Sequence, residues 1–181
     1  MKTIADHILD IIQNSARALA SRITVEIRES IMNDKYTVEI SDNGSGMDQT
    51  TAMKARDPFY TSRSTRRVGL GLPLLQQNAE QSGGSLQLIT QEGKGTTVIA
   101  SFGLTHIDRP PSGDMAGVFI LSAIGHPHIN LFYAHHTEKG SFSISTPELK
   151  ETLGEVPLGS SEIRKAVTEL ILHNLSGIGA S

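Results

Sequence analysis

An alternating strand pattern that ends in a glycine-rich loop constrains the fold of this chain more than any other feature. Apolar and polar residues alternate from Tyr36 to Ser41, which predicts a strand. The loop that follows, residues 42–47, reads DNGSGM. Glycines let the backbone turn sharply and approach another group closely, and a carboxylate offers acceptor oxygens without a donor. At the end of a strand, this combination suits either an ordinary turn or the wall of a pocket for a ligand with an exocyclic amine, such as adenine.

Length, charge and residue content limit the classes of protein to which the chain can belong. Its 181 residues are enough for one domain, or for one domain with a small appendage. The lack of cysteine excludes disulfides and thiolate chemistry, and a net charge of −3 gives no reason to expect a nucleic acid partner. No apolar run approaches the roughly 20 residues that span a bilayer, and residues 1–20 are charged and helical in pattern rather than a signal peptide. We therefore expect a cytoplasmic protein with no membrane partner.

Hydrophobic periodicity predicts helices and strands in turn over the first hundred residues. Isoleucines and Leu19 recur at helical spacing near the start of the chain, and Asp48 can cap a short helix after the glycine loop. The predicted strands are 23–28, 36–41, 85–90 and 96–102, and the predicted helices are 3–20, 48–56 and 69–82.

A proline-rich break, RPPSG at residues 109–113, interrupts every pattern and predicts an extended connector. We place a domain boundary there, between a first domain at residues 1–108 and a small C-terminal α/β module at residues 112–181. In the module the predicted strands are 118–124, 129–136 and 141–145, and the predicted helices are 147–153 and 161–175, the second capped by Ser161.

Three further motifs each suggest part of a ligand site, and each also has an ordinary structural explanation. Asp10 and Asn14 share one helix face, where a carboxylate and an amide could orient water and ligate Mg²⁺, or could simply be solvated. The loop at residues 57–67 combines aromatic residues, hydroxyls and arginines that suit phosphate oxygens, or else is a solvated connector. Val68 opens the sequence VGLGL, and glycines at a helix start expose backbone donors to anions. The spacing fits neither the dinucleotide fingerprint nor a Walker loop.

In this order the motifs resemble those of the GHKL superfamily of ATP-binding domains, which includes sensor histidine kinases, MutL, gyrase B and the large heat-shock chaperone. The matching segments are residues 10–15 (asparagine box), 42–47 (first glycine box), 57–61 (phenylalanine box of histidine kinases), 68–74 (second glycine box) and 93–97 (closing strand). The resemblance covers roughly residues 4–103. It implies an α+β Bergerat fold, a two-layer sandwich in which helices cover a mixed, mostly antiparallel sheet, and it implies ATP and Mg²⁺ as ligands.

The resemblance also implies roles for individual residues. Asn14 would ligate the magnesium ion, Asp42 would accept the adenine amine, and Thr96 would support Asp42 through water. The implied nucleotide contacts, with a lid over residues 61–67, are Asn14, Asp42, Gly44, Gly46, Met47, Thr61, Ser62, Arg63, Arg66, Val68, Gly69, Leu70, Gly71, Leu72 and Thr96. The lid arginines, with Arg67, are our own inference for the phosphate contacts, because lids vary within the superfamily.

Asp10 is the candidate catalytic residue. It stands where the hydrolysing branches of the superfamily carry a glutamate, and it is one methylene shorter, which reduces its reach as a general base. Three functions therefore stay open: a histidine- or serine-type kinase acting on a separate protein, an ATP-binding conformational switch, and a weak ATPase of the MutL or gyrase type. No histidine dimerisation hairpin precedes the asparagine box, so we expect the phosphoacceptor on another chain. The C-terminal module could form a homodimer or dock a partner protein.

The histidines are predicted to be structural. His7 is expected at the rim of the first helix. His135 and His136 are neighbours on a predicted strand, so their side chains point to opposite faces, which argues against a shared zinc ion. His126 and His128 are interpreted as ordinary loop residues.

Overall fold

The computed structural model describes residues 1–55 and 71–181. Within these ranges the helices are α1 (Ile4–Arg17), α2 (Gln49–Lys54), α3 (Gly71–Gln81), α4 (Met115–Gly125), α5 (Thr146–Leu153) and α6 (Ser161–Gly177). The strands are β1 (Arg22–Ser30), β2 (Lys35–Asp42), β3 (Ser85–Gln91), β4 (Gly95–Gly103), β5 (Asn130–Thr137) and β6 (Gly140–Ser145). Over the same ranges, none of the helices combines the length and the apolarity needed to cross a membrane.

The strands form a mixed sheet in the order β3-β4-β2-β1-β5-β6. Every neighbouring pair is antiparallel except β1 and β5, which run parallel. The apolar side chains of the strands share a core cluster with α1, α3, α4 and α6, so these helices cover one face of the sheet. The predicted α+β fold, a mostly antiparallel sheet covered by helices, is confirmed.

α1 is shorter than its periodicity predicts. The helix ends at Arg17, whereas the predicted helix continues to residue 20. The pattern places Leu19 in the apolar stripe, but this side chain is 87% exposed and its φ is +58°. The prediction for Leu19 was wrong because the chain turns there, and the carbonyl of Ala18 accepts from the backbone of Ser45 instead of continuing the helix.

The largest difference from the predicted elements is α4. The sequence pattern predicts a strand over residues 118–124, but the chain forms a helix at Met115–Gly125. A short continuous apolar run does not by itself distinguish a strand from a helix. Two features favour the helix here: it packs between α1 and α6, and Asp114 caps it by accepting from the backbone of Gly117 at 2.8 Å.

Two predicted N-caps can be compared directly with the structure. Asp48 caps α2 as predicted, because its carboxylate accepts from the backbone of Thr51 at 2.9 Å. Ser161 is the predicted cap of the last helix, but Ser160 takes that position and its hydroxyl accepts from the backbone of Ile163. The prediction was displaced by one residue, since either serine could cap a helix that begins here.

Residues 112–181 continue the sheet formed by the first part of the chain. β5 lies beside β1, and α4 packs against α1 in the shared core cluster. The connector also binds the first turn of α1, because the carbonyls of Pro111 and Ser112 accept from the backbones of Ile4 and Ala5, each at 2.9 Å. The division into two domains stays a prediction about independent folding, and the proposed boundary falls within a continuous sheet.

Candidate functional site

Three segments that are far apart in the sequence meet at the end of β2: the end of α1, the loop after β2, and the turn between β3 and β4. The backbone of Ser45 donates to the Ala18 carbonyl at 2.8 Å, and the Ser45 carbonyl accepts from Gly93 at 2.7 Å. The backbone of Met47 donates to the Thr90 hydroxyl at 2.9 Å. These bonds hold the loop between α1 and the hairpin, so tertiary contacts define its shape.

Gly44 and Gly46 lie where other parts of the protein approach the loop closely. A Cβ atom on Gly44 would lie 2.7 Å from the carbonyl oxygen of Ala18. Gly46 has a φ of +64°, and a Cβ atom there would lie 2.0 Å from the carbonyl oxygen of Gln91. From the sequence, these glycines were predicted to allow close approach of a ligand. The structure shows instead that the protein's own backbone lies too close to either position for a larger residue. Their contact with a nucleotide stays a prediction.

Two donors fix the carboxylate of Asp42 at the end of β2. One oxygen accepts from the backbone of Gly44 at 2.8 Å, and the other accepts from the hydroxyl of Ser15 at 2.6 Å. Ser15 is buried at 2% exposure, while Asp42 is half-buried. Each carboxylate oxygen has two lone pairs, so both keep capacity for a further donor. Asp42 can therefore bind an amine from an orientation that is already set.

Ser15 was not assigned a role from the sequence, although it lies directly after Asn14 in the asparagine box. Its place in the asparagine box was the only feature of the sequence that could have identified Ser15, because a serine on a helix gives no indication of its hydrogen-bond partner. Its bond to Asp42 is visible only once α1 and β2 are in contact. The structure therefore adds Ser15 to the candidate site as a residue that positions Asp42.

Thr96 lies directly opposite Asp42 in the pairing of β4 with β2. Its hydroxyl is 3.0 Å from that of Thr90. A Cβ atom on Gly95 would lie 1.9 Å from the backbone carbonyl oxygen of Asp42, so the hairpin turn is in close contact with the end of β2. The structure brings Asp42, Thr96 and the previously unassigned Thr90 together.

Asp10 and Asn14 lie one turn apart on α1, near the start of α3. The side-chain nitrogen of Asn14 donates to Asp10 Oδ2 at 3.2 Å, and Arg17 donates to the amide oxygen of Asn14. Gly71 begins α3 so close to Asp10 that a Cβ atom on it would lie 2.0 Å from Oδ2. The predicted catalytic carboxylate therefore adjoins the start of the helix that is predicted to bind phosphate.

The predicted phosphate-binding segment is only partly described by the structure. Gly71 and Leu72 form the beginning of α3, and Leu72 packs against the core. Several predicted contacts lie outside the described residues: Thr61, Ser62, Arg63, Arg66, Arg67, Val68, Gly69 and Leu70, with the phenylalanine box at residues 57–61. Predictions for these residues are unchanged.

The side chains around Asn14 fit a hard divalent cation. Asp10 and Asn14 offer a carboxylate and an amide oxygen, and both residues are half-buried. Mg²⁺ prefers oxygen ligands and usually keeps several waters. The amide oxygen of Asn14 accepts from Arg17 and has a second lone pair, so a cation bound at that oxygen would share it with the guanidinium or displace it. Within residues 1–55 and 71–181, no cluster of three or more His, Asp or Glu residues is arranged to hold a metal ion, so a cation near Asn14 would take its remaining ligands from water or phosphate.

His7 is buried, which corrects its predicted position at the rim of the first helix. It is 2% exposed, and the side-chain nitrogen of Asn78 lies 2.9 Å from its Nε2, joining α1 to α3. Burial lowers the pKa of His7 below its ordinary value. The imidazole is therefore a neutral part of the contact between these two helices.

His135 and His136 lie on opposite faces of β5. The Nε2 atom of His135 is 2.7 Å from a carboxylate oxygen of Glu29, and its other ring nitrogen bonds a buried tyrosine hydroxyl. Burial alone would raise the pKa of Glu29, but hydrogen bonds from His135 and from the backbone of Ser181 lower it overall. On the other face, His136 lies 3.0 Å from Glu26. Both histidines are engaged with carboxylates, away from the predicted ligand site.

Sequence comparison finds relatives for the N-terminal part of the chain. Residues 2–106 match the family described as histidine kinase-, DNA gyrase B-, and HSP90-like ATPase. The sensor histidine kinase ZraS of Escherichia coli strain K12 is 27% identical over 108 residues, covering 59% of this chain and 23% of ZraS. The signal transduction histidine-protein kinase AtoS of the same organism is 31% identical over 91 residues, covering 50% of this chain and 15% of AtoS. The chain thus spans less than a quarter of either relative.

Structural comparison extends the likeness beyond the family match. The MutL ATPase domain of Aquifex aeolicus, solved in complex with ADP, superposes with a TM-score of 0.50 at 12% identity, covering 94% of this chain and 70% of that one. At this identity the likeness establishes the fold alone. Because it covers 94% of the chain, it includes most of residues 107–181, which the family match leaves out.

Proposed function

Since the chain belongs to the family of histidine kinase-, DNA gyrase B- and HSP90-like ATPases, we propose that it binds Mg-ATP and transfers phosphate to a separate protein. Family membership supports ATP as the ligand, and similarity to ZraS and AtoS, both named as histidine kinases, supports phosphotransfer. The observation that carries the proposal is the carboxylate of Asp42, which two donors hold at the end of β2 with lone pairs to spare.

Asp42 is the proposed contact for adenine. The exocyclic amine of adenine needs an acceptor that cannot donate, and an ionised carboxylate meets that requirement. Because Ser15 and Gly44 already orient the carboxylate, binding loses less side-chain freedom than it would with a mobile acid. Met47 and Gly46 are proposed to shape the purine slot, and Thr96 to support Asp42 through water.

The phosphates are proposed to lie between α1 and the start of α3. Backbone N–H groups and the helix dipole at Gly71 favour anions. The carboxylate of Asp10 beside Gly71 would repel phosphates, so charge neutralisation is needed there. A magnesium ion held by Asn14 and Asp10 supplies that neutralisation when bound. The lid at residues 61–67 belongs to the same proposal.

Isothermal titration calorimetry with Mg-ATP tests the adenine assignment. Asp42→Asn keeps the size of the side chain but replaces an acceptor oxygen with a donor, so we expect the affinity to fall at least about tenfold, or ~1.4 kcal/mol. Asp108→Asn is the matched control, because it makes the same change at an exposed aspartate far from Asp42. The segment just before Asp108 is bonded to Asp34, which precedes β2, whereas Asp42 is the last residue of that strand. Wild-type affinity for Mg-ATP in the Asp42→Asn protein would show that Asp42 does not bind adenine.

A weak ATPase of the MutL or gyrase type is a second candidate, because Asp10 adjoins Gly71 where the phosphates are proposed to lie. A carboxylate in that position could act as a general base toward water. ATP turnover by the isolated protein that disappears in Asp10→Asn would favour hydrolysis. No turnover, together with γ-phosphate label appearing on a protein in host lysate, would favour phosphotransfer. Tight binding of ATP with neither turnover nor labelling of a second protein would favour an ATP-binding conformational switch.

A further inference from the structure

Three polar residues form a row across the sheet at the end of β2. Thr96 of β4 lies opposite Asp42 of β2 on one side and opposite Thr90 of β3 on the other. Directly opposed residues of antiparallel strands place their side chains on the same face of a sheet. Val98, two residues after Thr96 on β4, is buried in the core cluster, so the alternation of the strand puts the row on the helical face. The row therefore extends from the proposed adenine contact to β3.

The hydroxyl of Thr90 bonds three groups that come from separate parts of the site. It accepts from the backbone of Met47, in the loop after β2, at 2.9 Å. It donates to the carbonyl of Gly95 at 3.1 Å, and it lies 3.0 Å from the hydroxyl of Thr96. A hydroxyl has one proton and two lone pairs, so these three bonds use its full capacity. The Thr90 hydroxyl is therefore placed to hold its neighbours rather than to bind a ligand itself.

These bonds connect two residues that are proposed to contact the base from different segments. Met47 is proposed to shape the purine slot, and Thr96 is proposed to support the acid that binds the amine. The bonds of the loop to the end of α1 and to the hairpin turn are made by Ser45, two residues earlier, so the backbone N–H of Met47 is held by Thr90. All three of Met47, Thr90 and Thr96 are half-buried, where a hydrogen bond is stronger than in open water. One side chain thus sets the separation between the loop and β4.

We propose that Thr90 is a positioning residue for adenine and acts through Thr96 and Met47. This inference rests on the proposed binding of Mg-ATP. With the Thr90 hydroxyl in place, the Thr96 oxygen stays beside Asp42 and the Met47 backbone stays at a fixed distance from both, so the slot is formed before the nucleotide binds. Without it, both groups lose a partner at the base end of the site. The phosphates are proposed to lie elsewhere, between α1 and α3.

The proposal makes a prediction about the base that a general disturbance of the site does not make. Inosine triphosphate has the same ribose and phosphates as ATP, but a carbonyl replaces the exocyclic amine, so it has no amine to donate to Asp42. Loss of a group that positions adenine should therefore weaken the binding of ATP more than that of inosine triphosphate. A loss of structure throughout the site would weaken both nucleotides alike.

Calorimetric titration of Thr90→Val with Mg-ATP and with Mg-inosine triphosphate tests the proposal. Valine keeps the β-branched shape that suits a strand but has no hydroxyl. We expect the affinity for ATP to fall at least about fivefold and the affinity for inosine triphosphate to fall less than about twofold. Thr90→Ser, which keeps the hydroxyl, should bind ATP within about twofold of the wild type. Circular dichroism checks folding, and Thr90→Ala removes the same hydroxyl with a smaller side chain if valine does not fit.

Thr97→Val is the matched control. Thr97 is the next residue of β4, it is half-buried, and its hydroxyl lies 2.9 Å from that of Ser41, but the alternation of the strand puts it on the opposite face of the sheet. It is not among the implied nucleotide contacts, and its substitution should leave both affinities unchanged.

Three results would overturn the role of Thr90 alone: wild-type affinity for ATP in Thr90→Val, an equal loss for both nucleotides, or a Thr90→Ser protein as weak as Thr90→Val. Each of them leaves the proposed function in place, because Asp42→Asn tests that function separately. A wild type that does not bind Mg-ATP would overturn both the proposed function and the role of Thr90.

Discussion

At the scale of single residues, the candidate site depends on a contact between side chains that are 27 positions apart in the chain. Ser15 on α1 donates to Asp42 at the end of β2 with an oxygen–oxygen distance of 2.6 Å. A hydrogen bond to a charged acceptor contributes about 1.5–3 kcal/mol. Because Ser15 is buried, water does not readily replace its hydroxyl. This one contact orients the carboxylate and joins the loop to the helix.

Ser15→Ala should therefore weaken the binding of Mg-ATP by about three- to tenfold, because Asp42 loses the donor that fixes one of its oxygens. Calorimetric titration measures this change. Ser45→Ala is the control, since the exposed hydroxyl of Ser45 makes only a 3.4 Å bond to its neighbour Gly46. Equal affinities for wild type and Ser15→Ala would show that Asp42 needs no support from α1.

Alanine substitutions at Gly46 and Gly93 distinguish two reasons why a position needs glycine: a positive φ angle, and close approach of another part of the protein. Both glycines have positive φ angles, +64° and +75°, but a Cβ atom on Gly46 would lie 2.0 Å from the carbonyl of Gln91, while one on Gly93 meets nothing within 4 Å. We expect Gly93→Ala to cost about 1 kcal/mol of unfolding free energy, and Gly46→Ala about 3 kcal/mol or more. Urea denaturation compares them, and equal losses would contradict the packing reason for Gly46.

At the scale of elements, α1 links the candidate site to the rest of the helical layer. It carries Asp10 at its centre and Asn14 and Ser15 on its C-terminal half, and its first turn is held by the connector at Pro111 and Ser112. His7 lies between these two regions and bonds Asn78 of α3 while buried. Contacts at His7 therefore help to set the distance between the two helices that are proposed to enclose the phosphates.

The depressed pKa of His7 predicts a loss of stability in mild acid. Burial lowers its pKa from the ordinary value of 6.5, so below pH 6.5 the unfolded chain binds a proton that the folded chain does not. The unfolding free energy should fall as the pH decreases from 6.5, with a slope of up to about 1.4 kcal/mol per pH unit.

Urea denaturation of the wild type and of His7→Gln at pH 7.5, 6.5 and 5.5 measures this slope. These pH values extend about one unit to either side of the ordinary pKa of histidine. Glutamine keeps an amide for Asn78 but does not titrate here, so the difference between the two proteins isolates His7 from the other histidines. Parallel stability profiles for the two proteins would mean that His7 does not titrate differently in the folded and unfolded chains.

At the scale of the whole molecule, the C-terminal part completes the core of the N-terminal part. β5 supplies the parallel neighbour of β1. Ile8 and Ile12 of α1 face Phe119 of α4 and Leu131 of β5 around a small gap in the core. A protein that ended near the connector would expose these isoleucines and leave one side of β1 unpaired.

A chain of residues 1–108 is therefore expected to lose cooperative thermal unfolding, as followed by circular dichroism, because it lacks α4 and β5. The lost burial of apolar surface contributes about 25 cal/mol per Å², and an unpaired β1 edge favours aggregation. The full chain is the reference. If the shorter chain instead unfolds cooperatively near the wild-type midpoint, the predicted two-domain division would be supported.

Hydrophobic periodicity was sufficient to predict an element when one of its faces is buried and the other is exposed to solvent. β1 alternates in burial throughout and β2 does so from Lys35 to Ser41, and both were found from the alternation of their side chains. α4 was missed because it is apolar on nearly every side, so its sequence carries no period from which to choose helix or strand. The same limit applies to Leu19, whose spacing fits α1 although the backbone turns before it.

By itself the sequence determined the order of the motifs, the α+β class and the family, because Asp42 and the glycine-rich segments are local patterns with a strand or helix beside them. Only the tertiary structure decided which side chains orient Asp42, why Gly44 and Gly46 must be glycines, and how residues 112–181 join the sheet. Those features arise from contacts between distant segments, and a local pattern of side chains does not specify its distant partners.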